Sequence, residues 1–402
     1  MKFAKLSLAA IMAMGISAFA DVQNIKVSGD AKLYYSTTDA NNGDLFDQKS
    51  SSGQAALDIA ASADLADGVA GKIGVTMLNT LGLENNLVSK VWDAGLSNQW
   101  WVSEAWLAKK IANTTIKVGR QTLDTPLAFT ETWSIAQNTF DAAVVLNNDL
   151  PDTTLVAAWV GRGNGTSATP SIASPGSAVA PVAALAGVVN NAQGGNDPFG
   201  TYQQDGAYAF GAVTTAIPMT TAQAWYYDVN DVATAYWLQA DVALENELKG
   251  LTFGAQYATL NLNANNTDDG AIWAVKVGYA MDNGLSLAGA YSSSDKSTAG
   301  AGWNTATNTG ASKIYTEAWW AYGHVTASDT DSFLLSAEYD MEDIADFGLY
   351  YTSADHATGD DLTEITVTAS RSYGALDATL AYINTDLAEN DNMVQVYLTY
   401  NF

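Results

Sequence analysis

From Met393 to Phe402 every second residue is apolar. Val394, Val396, Leu398, Tyr400 and Phe402 share one parity; Gln395, Thr399 and Asn401 take the other, with Met393 and Tyr397. Successive side chains of a strand point to opposite faces, so this segment reads as a ribbon with one oily side. The pattern recurs along the chain. Ile25, Val27, Gly29, Ala31, Leu33 and Tyr35 oppose Lys26, Ser28, Asp30 and Lys32, and Leu57, Ile59 and Ala61 oppose Asp58 and Ser62. Further on, Tyr236, Leu238, Ala240 and Val242 oppose Trp237, Gln239 and Asp241. Phe333, Leu335, Ala337 and Tyr339 oppose Ser332, Ser336 and Glu338.

The connections alternate in length. Tight turns are expected at Ala66-Asp67-Gly68, Lys109–Asn113, Asn148–Thr153, Thr215–Thr221, Glu245–Gly250, Met281–Gly284, Met341–Ala345 and Arg371–Ala375. Between them lie longer polar connections near 37–51, 80–98, 120–137, 163–202, 261–269, 294–330, 355–361 and 385–391, with a short one near 228–232. The predicted fold is all-β: a transmembrane, antiparallel, up-and-down barrel of about eighteen strands, each roughly ten residues long, with short periplasmic turns and long external loops. An even count puts both ends of the barrel on the short-turn side, so the terminal strand should close against the one beginning near Ile25. A soluble sandwich also alternates polar and apolar positions. It requires neither the short–long rhythm nor the aromatics near strand ends (Trp100, Trp101, Tyr257, Tyr279, Tyr291, Tyr350, Tyr351) that suit an interfacial girdle. Tyr315–His324, within the 294–330 connection, reads as either an extra strand or a loop folded inward.

Composition narrows the function. Lys2 and Lys5, an apolar run from Leu6 to Phe19 and Ala18-Phe19-Ala20 have the form of a secretory signal over residues 1–20, leaving 21–402 as the barrel. No other stretch is long and apolar enough for a membrane helix. Cysteine is absent, and 43 acidic residues face 17 basic ones. That balance argues against nucleic acid, whose phosphates need Lys and Arg. It favours cations as counterions or permeants. His324 and His356 are too far apart in sequence for a helical metal motif, and Gly163-Asn164-Gly165 has no helix after it to cradle a phosphate, so no catalysis is expected.

At the end of the fifth strand stands Gly119-Arg120-Gln121-Thr122-Leu123-Asp124-Thr125-Pro126-Leu127. Phe129, Trp133, Gln137-Asn138 and Phe140-Asp141-Ala142-Ala143-Val144-Val145 follow. Here the chain resembles the Campylobacter-type major outer-membrane porins and, more distantly, the OprD-like channels, in which a Gly-Arg-Gln segment ends a strand before the loop that folds into the pore. The opening Met-Lys-x-x-Lys-Leu-Ser-Leu and the terminal strand fit the same group. The resemblance implies an eighteen-stranded passive porin in the outer membrane, a possible homotrimer, with the third external loop as constriction. OprD-like channels carry an arginine ladder for carboxylate solutes; the scarcity of Lys and Arg here departs from that.

Candidate sites follow. Lys117, Arg120, Asp124 and Glu131 are the expected constriction residues, because a narrow eyelet magnifies each charge; the alternatives are that they only cap the loop at 120–137, or that 163–202 or 294–330 is the loop that folds inward. The terminal parity of Val394, Val396, Leu398, Tyr400 and Phe402 is expected to meet outer-membrane lipid or a neighbouring subunit. No cofactor is required. Asp39, Asn41 and Asp44, and separately Asp355, Asp360 and Asp361 with Glu364, are weak calcium candidates, since neither set matches a full calcium loop. Small hydrophilic solutes and cations are the expected traffic. Two alternatives remain: a non-channel surface protein such as an S-layer subunit or adhesin, and a solute-specific channel in the same barrel.

Overall fold

A computed structural model describes residues 22–402 except 90–97, 133–134, 165–198, 203–204, 231, 246–247, 264, 266, 308, 343 and 388–390. The signal segment, Trp133 and most of the 163–202 connection therefore lie outside the described residues. Eighteen strands cross the sheet in chain order: β1 (Gln23–Thr38), β2 (Ser51–Asp64), β3 (Val69–Asn79), β4 (Gln99–Ile111), β5 (Thr114–Gln121) and β6 (Phe140–Asn147). They continue as β7 (Thr153–Gly163), β8 (Ala207–Thr214), β9 (Thr220–Val229), β10 (Ala233–Ala243), β11 (Leu251–Leu262) and β12 (Gly270–Ala280). The last six are β13 (Leu285–Ser294), β14 (Thr330–Met341), β15 (Ala345–His356), β16 (Leu362–Tyr373), β17 (Leu376–Thr385) and β18 (Asp391–Asn401). A two-residue strand, Gly200–Thr201, pairs with the end of β7 and does not interrupt the β7–β8 ladder.

Each strand pairs antiparallel with its sequence neighbours, and β1 pairs with β18, so the sheet is a closed barrel. Closure satisfies every ladder in lipid, where an open edge would strand unpaired amides. The short and long connections fall where the sequence rhythm put them. In the β2–β3 turn Asp67 (φ 58°) and Gly68 (φ 71°) occupy the left-handed region that their side chains tolerate. Among the described residues no helix is long and apolar enough to cross a membrane.

The parity of the strands is as read. Ile25, Val27, Leu33, Leu335, Val367, Leu380 and Tyr400 are exposed on the outside, whereas Tyr34, Gln54, Thr366, Ile383 and Gln395 are buried on the inside. Leu33 stands opposite Leu398, and Tyr34 packs its ring 4.9 Å from that of Tyr397. Two girdle assignments are corrected. Trp101 is fully buried on the lumen side while Trp100 is exposed, because neighbours in a strand must take opposite faces. Tyr350 also points inward and donates to Glu338, leaving Tyr351 outside against Phe333.

The seam is tight. Gly29 N–H donates to the Phe402 carbonyl (3.0 Å) and Phe402 N–H to the Gly29 carbonyl (2.9 Å). A Cβ on Gly29 would meet the Asp58 carbonyl oxygen at 2.2 Å and the Phe402 ring at 2.8 Å. Gly29→Ala is therefore expected to impair closure. Gel mobility before and after boiling should show a smaller folded fraction; an unchanged folded band would contradict this seam.

The inward face is not uniformly polar. Trp225 and Tyr227 of β9, Trp237 of β10, Leu260 of β11 and Ile272 of β12 are buried with Trp303 and Ile314 in one apolar cluster. Trp303 and Ile314 belong to the 295–329 connection, which thus lies inside the barrel. Between residues 295 and 329 there is an isolated bridge, Trp303 to Ser312, and no strand among the described residues, so Tyr315–His324 is part of an inward loop.

Candidate pore constriction

Gly119 ends β5 against β4 so closely that a Cβ would stand 2.2 Å from the Ala105 carbonyl oxygen, and its φ is +123°. Only glycine meets both demands cheaply. The next residue turns into the barrel. Arg120 donates through Nε and Nη2 to both Asp141 oxygens (2.7 and 3.1 Å) and through Nη1 to the Val102 carbonyl (2.8 Å). Its guanidinium stacks 3.4 Å from the Phe199 ring centre. Gln121 is buried and donates to the Ala142 carbonyl at 3.0 Å. The Gly-Arg-Gln segment thus fixes the root of the 122–139 loop, and Arg120 is engaged as a brace.

That loop is zipped to loop 295–329. Thr305 donates through its amide (2.8 Å) and hydroxyl (2.7 Å) to the Leu127 carbonyl. Asn304 donates to the Phe129 carbonyl at 3.0 Å. Glu131 is 2% exposed, and its Oε1 accepts from Thr307 (2.5 Å), Thr309 (2.7 Å) and Asn304 (2.9 Å). Glu131 is therefore a staple between two loops, away from the water path. Asp124 is open to water and receives Lys313 Nζ at 2.5 Å. Lys117 lies farther down the wall of β5, 4.4 Å from the Trp106 ring centre. Of the four expected residues, then, Asp124 and Lys117 face the channel, and Arg120 and Glu131 hold loops.

Lys313 was missed, as were Asn304, Thr307, Thr309 and Tyr315. Tyr315 donates to Asp241 at 2.8 Å and its amide to Gln256 at 3.0 Å, and Gln256 donates to the Lys313 carbonyl at 2.8 Å. These bonds seat the loop on β10 and β11. A signal was present: three Trp, two Tyr and Ile314 in one connection are too apolar for a solvated external loop.

A third anchor holds the far end of loop 295–329. Glu364 of β16 is 1% exposed and accepts the amides of Trp320 (3.0 Å) and Ala321 (2.7 Å) and the Thr366 hydroxyl (3.0 Å). Nearby, the rings of His324 and His356 lie 5.4 Å apart despite their distance in sequence. His356 meets the His324 carbonyl with Nε2 (3.0 Å) and the Asp360 carbonyl with Nδ1 (2.6 Å).

Two groups of the inward loop have displaced ionisation. Burial, partly offset by donors from Ser312, Ala318 and Gly323, raises the Glu317 carboxyl to about 7. Burial, with the neighbouring His356 second, lowers the His324 ring to about 4. A carboxyl raised from 4.5 stabilises docking below that value and loses the contribution as pH rises through about 7. A histidine lowered from 6.5 contributes above that value and loses it as pH falls through about 4. Between about pH 4.5 and 6.5 the two slopes oppose each other and docking should be nearly flat. Glu317→Gln should unmask weakening on acidification, and His324→Leu weakening as pH rises, read by limited proteolysis of the loop in detergent. Flat profiles in both variants would contradict the assignment.

Two of the calcium candidates accept hydrogen bonds from the protein. Asp39 accepts from the Asn392 amide (2.6 Å) and side chain (2.7 Å), and Asp361 from the His356 amide (2.9 Å). The Asn41 side chain lies outside the described residues. Among the described residues no three His, Asp or Glu side chains come together to hold a metal.

Along the lumen wall, bases sit beside acids. Lys32 lies between Asp30 (3.0 Å) and Asp58 (3.1 Å), Lys72 pairs with Glu104, Arg162 reaches Asp141 at 3.5 Å, and Lys276 reaches Asp241 at 2.7 Å. The first two groups line a cavity of about 570 Å³ beneath the loops.

A closed eighteen-stranded barrel with an apolar outside, a polar lumen and inward loops defines an integral outer-membrane channel for small solutes. The model of the Campylobacter major outer membrane protein matches residues 1–386, and the chain belongs to that family. No curated protein sequence matches it significantly. Solved structures share the fold at low identity. Pseudomonas aeruginosa OccK8 (OprE) superposes with a TM-score of 0.69 at 14% identity, over 94% of this chain and 98% of that one. The P. aeruginosa outer membrane protein opdK gives 0.68 at 13%, over 94% and 99%. Acinetobacter baumannii OccAB1 gives 0.67 at 12%, over 94% and 96%.

Proposed function

We propose that the chain is a passive, non-catalytic diffusion channel that prefers cations, and that two inward loops, 122–139 and 295–329, set its eyelet. The observation that supports the preference is an asymmetry of charge. The connections on the long-loop side contain nineteen acidic residues and four basic ones, so the external mouth is anionic. On the lumen wall Lys32, Lys72, Arg120 and Lys276 each lie beside a carboxylate, which limits the field they add. An anionic mouth raises the local concentration of cations, and salt weakens the effect as the screening length shrinks. At the eyelet the exposed Asp124–Lys313 pair supplies a local transverse field.

Liposome swelling tests this reading. Vesicles containing the protein should swell faster with a small cationic solute than with an anionic one of equal size, with an uncharged sugar between. Equal rates, or faster anion entry, would contradict it. The homotrimer implied by the family resemblance belongs to the same reading, and light scattering of the detergent-solubilised protein checks it.

A further inference from the structure

Loop 295–329 turns an aromatic tip toward the seam of the barrel. Trp319, Trp320 and Tyr322 of the loop, with Tyr397 of β18 and Thr379 of β17, enclose a cavity of about 380 Å³. Thr379 and Tyr397 are register partners on the parity of the buried Ile383 and Gln395, so the cavity opens off the channel and away from lipid. Trp320 is buried, whereas Trp319, Tyr322 and Tyr397 are half-buried. Among the described residues no lysine or arginine lines it.

Carboxylates surround the same tip. Glu317 precedes it, Glu364 holds the amides of Trp320 and Ala321, and Glu131 ties the adjoining loop to residues 304–309. Their charge is felt inside. Burial first, then the Tyr397 phenol and the charges of Glu131, Glu317 and Glu364, hold the Tyr322 phenol well above its ordinary range.

We propose that this cavity is a solute-binding subsite of the channel that takes an organic cation bearing an aromatic ring, an arylalkyl amine. The volume falls in the range of small-molecule pockets. The ring of such a solute gains offset or edge contacts with Trp319 and Tyr397. Its ammonium gains from the faces of Trp and Tyr and, at longer range, from the nearby carboxylates. An aryl carboxylate would meet like charge, and an amine without a ring would forgo the stacking. The inference rests on the channel reading above.

Single-channel recording of the full-length protein in planar bilayers tests it. The electrolyte is KCl buffered near neutral pH. Phenethylamine, propylamine and 3-phenylpropionate are added in turn. Phenethylamine is expected to reduce the open-channel current saturably, with the other two at least about tenfold less potent. Trp319→Leu should weaken the phenethylamine block by about tenfold, read as potency against that variant's own open-channel current. A phenethylamine block no stronger than that of propylamine would overturn the subsite, as would undiminished potency of block in Trp319→Leu. Should that variant raise the conductance by loosening the loop, the three probes on the unaltered protein still decide. Pure protein that conducts nothing would overturn the channel itself; an open channel that phenethylamine fails to block overturns the subsite alone.

Discussion

Glu131→Ala is expected to raise single-channel conductance and to make the open current noisy. The Glu131 oxygen is the common acceptor for Thr307, Thr309 and Asn304, within a buried junction of two loops. A hydrogen bond to a charged acceptor contributes roughly 1.5–3 kcal/mol, and orphaned buried donors add their own desolvation cost. Losing three at once removes on the order of 5 kcal/mol from the contact between the loops, enough to populate undocked states. The wall anchors at Gln256 and Glu364 remain, so the barrel should still fold and show its heat-dependent mobility. Glu131→Gln keeps one oxygen acceptor and should lie between wild type and alanine. Wild-type conductance in the alanine variant would show that the loops hold without the staple.

The second large effect concerns Asp141. It neutralises Arg120 through a two-pronged contact and has Arg162 at 3.5 Å on its other side. Arg120 is 13% exposed, so its charge is mostly withdrawn from water. Asp141→Ala leaves two guanidinium groups near Phe199 with their shared carboxylate gone. Removing one partner of a buried pair typically costs about 3–5 kcal/mol. The folded fraction on unboiled gels should fall sharply, and the surviving channels should shift toward anions, since a stretch of wall with two guanidiniums and one carboxylate loses its only negative charge. Arg120→Ala should be milder in selectivity, because Asp141 keeps Arg162. Equal selectivity of Asp141→Ala and wild type would argue that this wall does not face the ion path.

The barrel was legible because its signal is local. A period of two needs only neighbouring residues, and a single slip would send a whole strand's oily side into the lumen. The terminal strand shows this well: Val396 opposite Tyr35 and Tyr397 opposite Tyr34 keep outward residues with outward and inward with inward, as parity requires of its pairing with β1. The constriction was less legible because it is assembled across the chain. Glu131 meets Thr309 from 178 residues away, and Lys313 meets Asp124 from 189. Neither loop announces its partner, and an acid on a polar loop reads the same whether it faces water or three hydroxyls. The inward aromatics Trp101 and Tyr350 misled for a related reason. An aromatic near a strand end suits the lipid interface, and only its parity tells whether it lies there or under an inward loop. Gly119-Arg120-Gln121 was located correctly from its resemblance, yet its arginine braces the loop root, because Asp141 on the neighbouring strand faces it.

The zero-current potential across a single bilayer-inserted channel in a KCl gradient tests the central claim most directly. An anionic mouth above a charge-paired lumen predicts a potential of the sign for K⁺ preference, large in dilute salt and shrinking as both solutions are concentrated. A potential near zero in dilute salt, or one of the sign for Cl⁻ preference, would contradict it.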